Sequence, residues 1–247
     1  MKITSVNNEI VKDTAKLLNR KFRDESGLFL LEGDKCIEEA LLSGIKLERV
    51  FVQEGHKHFN GVENIETTEA VLKKISSTES APKTVGVAKQ LKQKWDNSYR
   101  KVVLLENIKD AGNLGTILRT SAAFGADAII LYGDTVDLYN PKCVRSSVGN
   151  LWKVPVFTTS NKPWLLEKFE KFERIATLPK SDNTVWLKEY TPKEKVLIMF
   201  GSEAEGLSED LKNFATKNVT IEMSDNVESL NLSISVGVML YSTMDVL

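Results

Sequence analysis

Apolar positions in the second half of the chain form short runs that predict buried strands. From Lys101 onward, the runs are rich in branched residues and are separated by stretches long enough for helices. Such runs are typical of a parallel sheet covered by helices on both faces, because each strand is then buried on both sides. The runs are VVLLENI (102–108), DAIILY (127–132), ERIATL (173–178) and KVLIMFG (195–201).

The first 88 residues follow a different pattern and predict a small mixed α/β unit. Residues 34–45 have helical spacing, with Asp34 as the expected N-cap, and residues 67–76 predict a second helix. A short apolar run at 50–52 predicts a strand. Because residues 89–101 are polar and basic, they predict a linker. We therefore expect a small domain over 1–95 and a larger domain over 96–247.

The pattern of the C-terminal segment leaves two structures open. In VESLNLSIS (227–235) apolar and polar residues alternate, as they do in a half-buried strand. However, Ile234 and Val238 also lie at helical spacing from Leu230, and a pattern that continues to Met244 is long for one strand. The local pattern therefore favours neither a strand nor a helix.

Composition and charge narrow the class of protein. The 247 residues are 42% hydrophobic and 27% charged, which is typical of a globular protein with well-formed cores. The formal net charge of −1 neither requires nor excludes a nucleic-acid partner. No apolar run approaches the roughly 18 residues of a membrane helix, and the N-terminus lacks the apolar core of a secretory signal. We expect no membrane association and a cytoplasmic location.

The cysteines and histidines do not have the spacing of a metal site. Cys36 and Cys143 lie far apart, and His56 and His58 have no further ligand residues nearby. We expect no bound metal and no disulfide framework. Buried apolar thiols are the expected state of both cysteines.

Local charge is uneven at the N-terminus. Residues 1–23 carry six basic and two acidic side chains, and a basic cluster of this kind can contact RNA phosphates. A solvated helix face is the alternative interpretation. The candidate RNA-binding residues are Lys12, Arg20, Lys21 and Arg23.

Three segments place polar residues after predicted strands, where open parallel sheets bind their ligands. The first, ENIKDAGNLGTILRTSAAFGAD (106–127), contains Asn113 and Arg119. The second, KVLIMFGSEAEGLSED (195–210), contains Glu203 between two glycines. The third, TIEMSDNVESLNLSISVGVMLYSTM (220–244), contains Ser229 and Asn231. Taken singly, these residues also fit structural roles such as a helix cap, a surface arginine or a solvated carboxylate. No dinucleotide or P-loop fingerprint is present.

Together, the three segments resemble the SpoU/TrmH family of RNA 2′-O-ribose methyltransferases, within the SPOUT superfamily. The resemblance covers residues 102–244, and the N-terminal unit looks like the small substrate-binding module that precedes the catalytic domain in many members. Ala111, Ser202 and Glu222 stand where the family often has Pro, Asn and Pro. These departures concern loop rigidity and not the polar residues of the motifs.

The resemblance implies an α/β fold with a mostly parallel sheet and a C-terminal trefoil knot, preceded by a small α/β RNA-binding domain. It implies that the third segment is a loop followed by a helix. The implied reaction is methylation of a ribose 2′-hydroxyl in RNA, with S-adenosylmethionine as cofactor, in a homodimer. Ribosomal (23S) RNA is favoured because the N-terminal module resembles that of ribosomal members. A transfer-RNA methyltransferase and a non-catalytic RNA-binding protein are the alternatives.

The resemblance also implies roles for individual residues. Arg119 would meet the acceptor hydroxyl or the adjacent phosphate; since arginine stays protonated at physiological pH, hydroxyl polarisation or phosphate anchoring is as plausible as proton abstraction. Cys143 is the candidate nucleophile for the alternative of base methylation. Ser233 and Ser235 have no implied role beyond small-residue packing. The implied catalytic residues are Asn113, Arg119, Glu203, Ser229 and Asn231, and the implied cofactor-binding residues are Gly201, Ile221 and Leu230.

Overall fold

The computed structural model describes residues 1–224 and 226–244. The strands are β1 (Lys2–Ile3), β2 (Leu28–Glu32), β3 (Leu47–Gln53), β4 (Glu63–Thr67), β5 (Thr84–Lys89), β6 (Lys101–Glu106), β7 (Ala128–Tyr132), β8 (Val156–Thr159), β9 (Glu173–Thr177), β10 (Val185–Trp186), β11 (Val196–Phe200) and β12 (Lys217–Thr220). The helices are α1 (Glu9–Lys16), α2 (Arg20–Ser26), α3 (Asp34–Leu42), α4 (Glu69–Lys74), α5 (Ala111–Ala123), α6 (Pro141–Ser146), α7 (Lys162–Lys168), α8 (Glu209–Phe214) and α9 (Leu232–Ser242). None of the helices in these ranges is long and apolar enough to cross a membrane.

The chain folds into two compact units. The first unit consists of Met1–Lys92 together with Asp137–Trp152. The second unit consists of Gln93–Val136 and the chain from Lys153 onward. The sequence pattern gives no sign that residues 137–152 leave the larger unit, because their contacts are with residues distant in sequence.

The first unit is built on a five-stranded mixed sheet with the order β1-β4-β3-β5-β2. β5 runs antiparallel to both β2 and β3, whereas β4 runs parallel to β1 and β3. α3 begins one residue earlier than expected of a helix capped by Asp34, because Gly33 is the N-cap and makes no side-chain cap bond. The Asp34 carboxylate instead accepts a hydrogen bond from Thr84 Oγ1 at 2.7 Å and lies 2.8 Å from His56 Nε2. The expected cap at Asp34 is therefore wrong.

Residues 137–152 are held in the first unit by a buried ion pair. The Arg23 side chain is 2% exposed, and its Nη2 lies 2.6 Å from Asp137 Oδ2. Arg23 Nη1 also donates to the Leu17 carbonyl at 2.7 Å. Because its guanidinium is buried and already paired, Arg23 is not available to RNA phosphates. The structure therefore corrects the sequence-based assignment of Arg23 to RNA binding.

The second unit contains the parallel sheet that the apolar runs predict. Its seven strands have the order β10-β12-β9-β11-β6-β7-β8, and every pair of neighbours is parallel. On one face the core includes Val102, Leu104, Leu197 and Met199, which are completely buried. The expectation of a parallel sheet is confirmed.

The segment before β6 is anchored although it has no helix or strand. The Trp95 ring lies 5.1 Å from the Tyr99 ring and 5.3 Å from the Phe157 ring, measured between centroids. Trp164 and Phe169 are each 5.5 Å away and are oriented edge-on. Buried aromatic pairs of this kind contribute about 0.5–1.5 kcal/mol each beyond their buried area. From Gln93 onward, the segment expected to be a linker is therefore part of the second unit.

The C-terminal segment is a loop followed by a helix, as the family resemblance implies. β12 ends at Thr220, and α9 begins at Leu232 after the N-cap Asn231, whose Oδ1 accepts from the Ser233 backbone N–H at 2.9 Å. Val236, Met239 and Leu240 are completely buried, which matches helical spacing. The alternative of a half-buried strand is excluded.

Candidate active site

A cavity of about 610 Å³ opens at the carboxyl edge of the second unit's sheet. β9 lies between β12 and β11, and the loops that follow these three strands form the cavity wall. The wall contains every residue that the resemblance assigns to the cofactor and three of those that it assigns to catalysis. These residues are Gly201, Glu203, Ile221, Ser229, Leu230 and Asn231.

A chain of side-chain hydrogen bonds joins the three motifs. Asn113 Nδ2 donates to Glu203 Oε1 at 2.6 Å. Asn231 Nδ2 donates to Asn113 Oδ1 at 3.0 Å. The three residues are separated by 90 and 118 positions in the sequence, so only the fold brings them together.

The order of donors and acceptors in these hydrogen bonds is fixed at both ends, by Glu203 and by Ser233. An ionised carboxylate only accepts hydrogen bonds, so Asn113 must turn its amide nitrogen towards Glu203 and keep its oxygen for Asn231. At the other end, Asn231 Oδ1 accepts from the Ser233 backbone N–H, and also from the Ser233 hydroxyl at 2.6 Å. The amide group of Asn231 is therefore oriented with its nitrogen towards Asn113.

Because another residue caps α5, the Asn113 side chain is available for the hydrogen bonds to Glu203 and Asn231. Asp110 is the N-cap of α5, and its carboxylate accepts from the Asn113 backbone N–H at 2.8 Å. The structural alternative, in which Asn113 caps the helix, is wrong. Glu203 is likewise not a purely solvated carboxylate, because it accepts the Asn113 hydrogen bond.

The serines that had no explained role support Asn231. Ser233 is 7% exposed, and its hydroxyl and backbone N–H both reach Asn231 Oδ1. Ser235 Oγ donates to the Asn231 carbonyl at 3.3 Å. Sequence analysis missed this function because capping by Asn231 is recognisable only once the helix start is known.

The loop after β11 closes on itself too tightly for any side chain at Gly201. A Cβ placed there would lie 1.8 Å from the Gly206 carbonyl carbon and 2.1 Å from the Leu207 nitrogen. The loop is closed by a hydrogen bond from the Gly206 N–H to the Ser202 carbonyl at 2.9 Å. Glycine is needed at position 201 because two backbone segments come into contact.

The end of this loop is attached to a buried carboxylate. Glu106, the last residue of β6, is 4% exposed, and its Oε2 accepts from the Ser208 N–H at 2.7 Å. Ser208 is the N-cap of α8, as its position in the second motif predicts. The role of Glu106 was missed, and its position as a charged residue ending an apolar run is the signal that could have indicated it.

Arg119 lies outside the cavity wall. It is exposed on α5, about 9 Å further along the helix axis than Asn113 at 1.5 Å per residue. Within the described ranges it has no hydrogen bond or ion pair. The hydrogen-bond chain of Glu203, Asn113 and Asn231 therefore does not include Arg119.

The remaining basic candidates are in the first unit. Lys12 is exposed on α1, and Arg20 and Lys21 are exposed on the short helix α2. Arg20 lies 3.6 Å from Asp24, and Lys21 lies 3.9 Å from Glu25. Exposed pairs with this geometry are weak, so these side chains can exchange their partners for phosphates.

Two known protein families match most of the chain. The SpoU rRNA Methylase family matches residues 100–241, and the MRM3-like substrate binding domain matches residues 8–86. The chain belongs to the SpoU rRNA methylase family. The match includes all three motifs and the segment that folds into the first unit.

Relatives of this SpoU family member are similar over almost its full length. An uncharacterized tRNA/rRNA methyltransferase of Synechocystis is 36% identical over 97% of this chain and 92% of the relative. A 23S rRNA (guanosine(2553)-2′-O)-methyltransferase of Bacillus subtilis is 28% identical over 97% of each. The crystal structure of an AdoMet-bound rRNA methyltransferase from Sinorhizobium meliloti has a TM-score of 0.87 at 28% identity, covering 98% of this chain and 96% of that one. An RNA 2′-O ribose methyltransferase structure has a TM-score of 0.83 at 32% identity, covering 98% and 97%.

Charge in the cavity of this SpoU protein is predominantly negative. Glu203, Glu205 and Glu228 are in the wall, and Lys212 is also there but pairs with Glu209 at 2.8 Å. A cavity with this lining favours a ligand that carries positive charge. Over the described ranges, no group of three or more His, Cys, Asp or Glu side chains is arranged to hold a metal ion.

Proposed function

We propose that this SpoU protein transfers a methyl group from S-adenosylmethionine to a ribose 2′-hydroxyl of RNA, with 23S ribosomal RNA as the favoured substrate. The observation that carries this proposal is the hydrogen-bond chain from Glu203 through Asn113 to Asn231 at the cavity. Two relatives that match 97% and 98% of the chain are named as 23S rRNA 2′-O-methyltransferases, which supports ribosomal RNA over transfer RNA.

The cavity residues fit S-adenosylmethionine. The cavity volume of about 610 Å³ is within the range of pockets that enclose ligands of this size. The acidic wall suits a cation, and the sulfonium of S-adenosylmethionine carries a positive charge. Gly201 and Ile221 offer backbone groups and apolar surface on either side of β9, which suits a nucleoside.

In the proposed mechanism, the protein positions the acceptor and polarises it. When bound, S-adenosylmethionine supplies the methyl group on a sulfonium that becomes a neutral thioether. Asn113 and Asn231 hold the Glu203 carboxylate in place through Oε1, so Oε2 remains to accept a hydrogen bond from the 2′-hydroxyl. This hydrogen bond increases electron density on the attacking oxygen, and the Glu203 carboxylate would take up the hydroxyl proton as the O–C bond forms and the S–C bond breaks. Alignment of hydroxyl and methyl group contributes the larger part of the rate.

Arg119 is assigned to the RNA and not to the cofactor. It is exposed, lies outside the cavity wall and has no partner among the described residues, so its guanidinium can bind the phosphate next to the acceptor ribose. Arg119→Ala should lower turnover at least 100-fold while the Kd for S-adenosylmethionine, measured by calorimetry, changes less than threefold. Arg100→Ala, which removes another exposed arginine of the second unit, is the matched control and should leave both unchanged.

The function is tested by methyl transfer from radioactive S-adenosylmethionine to purified RNAs. We expect label on 23S ribosomal RNA, and none when the target nucleotide carries a 2′-deoxy sugar, although that RNA should still bind through its phosphates. Label on transfer RNA alone would replace the ribosomal assignment. RNA binding without any transfer would favour a non-catalytic RNA-binding protein.

Base methylation through a cysteine nucleophile is disfavoured by burial. Cys143 is completely buried, and burial raises the pKa of its thiol, so the thiolate needed for attack on a base carbon is scarce at neutral pH. Burial also raises the pKa of Cys36, to about 12. Recovery of label on the base after nuclease digestion would overturn the ribose assignment.

The first unit is proposed to bind RNA through the basic face of α1 and α2, and the chain 96–247 to carry the chemistry. Replacing Lys12, Arg20 and Lys21 together with alanine should weaken RNA binding and reduce the salt slope of log K by about 2–3, because each lost phosphate contact contributes about 0.7–0.9. A matched control replaces exposed lysines elsewhere in the unit, namely Lys46, Lys74 and Lys83. Equal loss in both triple variants would contradict a specific role for the α1–α2 face.

A homodimer is proposed because apolar residues of α9, and one that follows it, are exposed. Ile234 and Tyr241 of α9 are 52% and 66% exposed, and Met244 is 44% exposed. Exposed apolar surface of this kind is typical of a protein interface. Ile234→Glu should convert a dimer into a monomer in light scattering, whereas Leu42→Glu, at an isolated position on α3 that is 84% exposed, should not. A monomeric wild-type protein would refute the proposal.

The trefoil knot is proposed from the path of the C-terminal segment. β12 pairs with β9 on one side of β11, whereas α9 packs against α5, the helix that follows β6 on the other side of β11. We propose that the segment between β12 and α9 passes through the loop that follows β11. Lys101 of β6 then donates to the Thr243 carbonyl at 2.8 Å. An experimental electron-density map traced through residues 200–244 would test the threading.

With ribosomal RNA as substrate, a cytoplasmic location follows, and cell fractionation would test it.

A further inference from the structure

Thr177 belongs to the cavity wall, and its side-chain hydroxyl has no hydrogen-bond partner within the described residues. It is the last residue of β9, the strand that lies between β12 and β11. Its Oγ1 is nevertheless buried. Its backbone register is regular, because Thr177 is opposite Val219 and the next N–H, of Leu178, donates to the Val219 carbonyl at 3.0 Å.

An unpartnered buried hydroxyl destabilises a fold by about 1–3 kcal/mol, and valine has the same shape without that cost. The apolar run ERIATL would therefore be more stable with a valine at its end. The position is close to the cavity and its neighbour Phe200 also belongs to the wall, so a bound ligand is the available source of a partner. A 120° rotation of χ1 to another staggered well moves the hydroxyl into the position that the methyl group occupies and the methyl group into that of the Cβ hydrogen.

We propose that Thr177 is a cofactor-binding residue whose hydroxyl completes its hydrogen bonding with the nucleoside part of S-adenosylmethionine. This inference rests on the proposed function. The nucleoside is the part assigned here because Thr177 ends β9, which lies between the strands that lead to Gly201 and Ile221, and shares the cavity wall with the aromatic residue Phe200. A ring nitrogen or a ribose hydroxyl of the nucleoside supplies the acceptor or donor that Thr177 lacks.

A role in cofactor binding and a role in folding have opposite consequences for Thr177→Val. If the hydroxyl binds the cofactor, the variant without ligand should melt at the same temperature as the wild type or higher, because an unpaired polar atom has been removed. If the hydroxyl stabilises the fold, the same variant should melt at a lower temperature. The cofactor-free melting temperature therefore separates the two roles without any measurement of activity.

The test combines calorimetry and thermal melting on the full-length protein. Thr177→Val should weaken S-adenosylmethionine binding about 5- to 30-fold, since one neutral hydrogen bond contributes about 1–2 kcal/mol and 1.4 kcal/mol is tenfold. Thr177→Ser should retain affinity within about threefold. Thr158→Val, at an exposed position on β8, is the control and should change nothing.

5′-Methylthioadenosine, which has the nucleoside but lacks the amino-acid part, locates the contact. It should lose affinity for Thr177→Val by the same factor as S-adenosylmethionine. A loss seen with S-adenosylmethionine alone would overturn the assignment to the nucleoside. Wild-type affinity in Thr177→Val, or a lower melting temperature without ligand, would overturn the inference while leaving the proposed function intact. A wild-type protein that does not bind S-adenosylmethionine would remove the proposed function itself.

Discussion

Replacing Gly201 with alanine should disable the cavity through a steric conflict between two backbone segments. The added Cβ would lie 1.8 Å from the carbonyl carbon of Gly206 and 2.0 Å from its oxygen, whereas ordinary contacts begin near 3.4 Å. The loop must therefore open by about 1.6 Å, the difference between these two distances. The conflict is with backbone, so no rotation of a side chain can relieve it.

The displacement is large enough to break the hydrogen-bond chain. Glu203 lies between the two glycines, and its bond to Asn113 is 2.6 Å long, so a shift of this size carries the pair beyond hydrogen-bonding distance. Overpacking costs about 1–3 kcal/mol, and loss of a hydrogen bond to a charged group about 1.5–3 kcal/mol. A combined loss of about 3 kcal/mol corresponds to a fall in Tm of about 6–12 °C in a protein of this size.

Calorimetry with S-adenosylmethionine and thermal melting test this prediction. We expect Gly201→Ala to weaken cofactor binding at least 100-fold. The control is Gly125→Ala, since Gly125 follows α5 in the second unit, has φ +69° and has open space around its Cβ position. That control should cost only the roughly 1–2 kcal/mol of a left-handed conformation and should leave cofactor affinity unchanged. Cofactor binding by Gly201→Ala within threefold of wild type, with Tm lowered by less than 2 °C, would refute the steric reasoning.

Three further predictions follow from charges and hydrogen bonds in the structure. Asn113→Asp places a second carboxylate in the hydrogen-bond chain of the active site, so methyl transfer should fall at least 100-fold in the radioactive assay; retention of half the activity would contradict the chain's role. Asp137→Asn leaves the buried Arg23 without its counter-charge and should destabilise the protein by about 3 kcal/mol in thermal melts, whereas Asp24→Asn, at an exposed pair, should change stability by less than 1 kcal/mol. Because burial raises the pKa of Cys36 to about 12, its thiol stays protonated at pH 8, and alkylation of the native protein should be at least 100-fold slower than in denaturant. Equal labelling rates in the two states would show that Cys36 is accessible.

The sequence alone was sufficient for four of the seven strands of the second unit and for the identity of the chemistry. The strands β6, β7, β9 and β11 are recognisable because burial on both faces requires uninterrupted apolar residues, a property of each segment by itself. Each of the three motifs can also be recognised from its own segment, since it contains a strand end, a turn and its polar residue within a short stretch. Their resemblance to the SpoU/TrmH family could therefore be found without knowledge of any contact.

The sequence could not decide the structure of the C-terminal segment. α9 has apolar residues around most of its circumference, including the exposed Ile234 and the buried Val236. A helix of this kind has no polar face, so the helical period is hidden and the alternation of small serines imitates a strand. Only packing against α5 and the sheet, together with the cap at Asn231, selects the helix.

Long-range contacts also decided which charged residues are available for function. Arg23 and Lys21 look alike in the sequence, but Arg23 meets Asp137, which is 114 positions away, and is buried, whereas Lys21 is exposed. Likewise, the last residues of the strands β6 and β9, Glu106 and Thr177, gain their significance from the loops that surround them. Local sequence determines the spacing of apolar residues within each element and the turns at its ends. The pairing and burial of a polar side chain depend on residues far away in the chain, and these are set only when the tertiary structure forms.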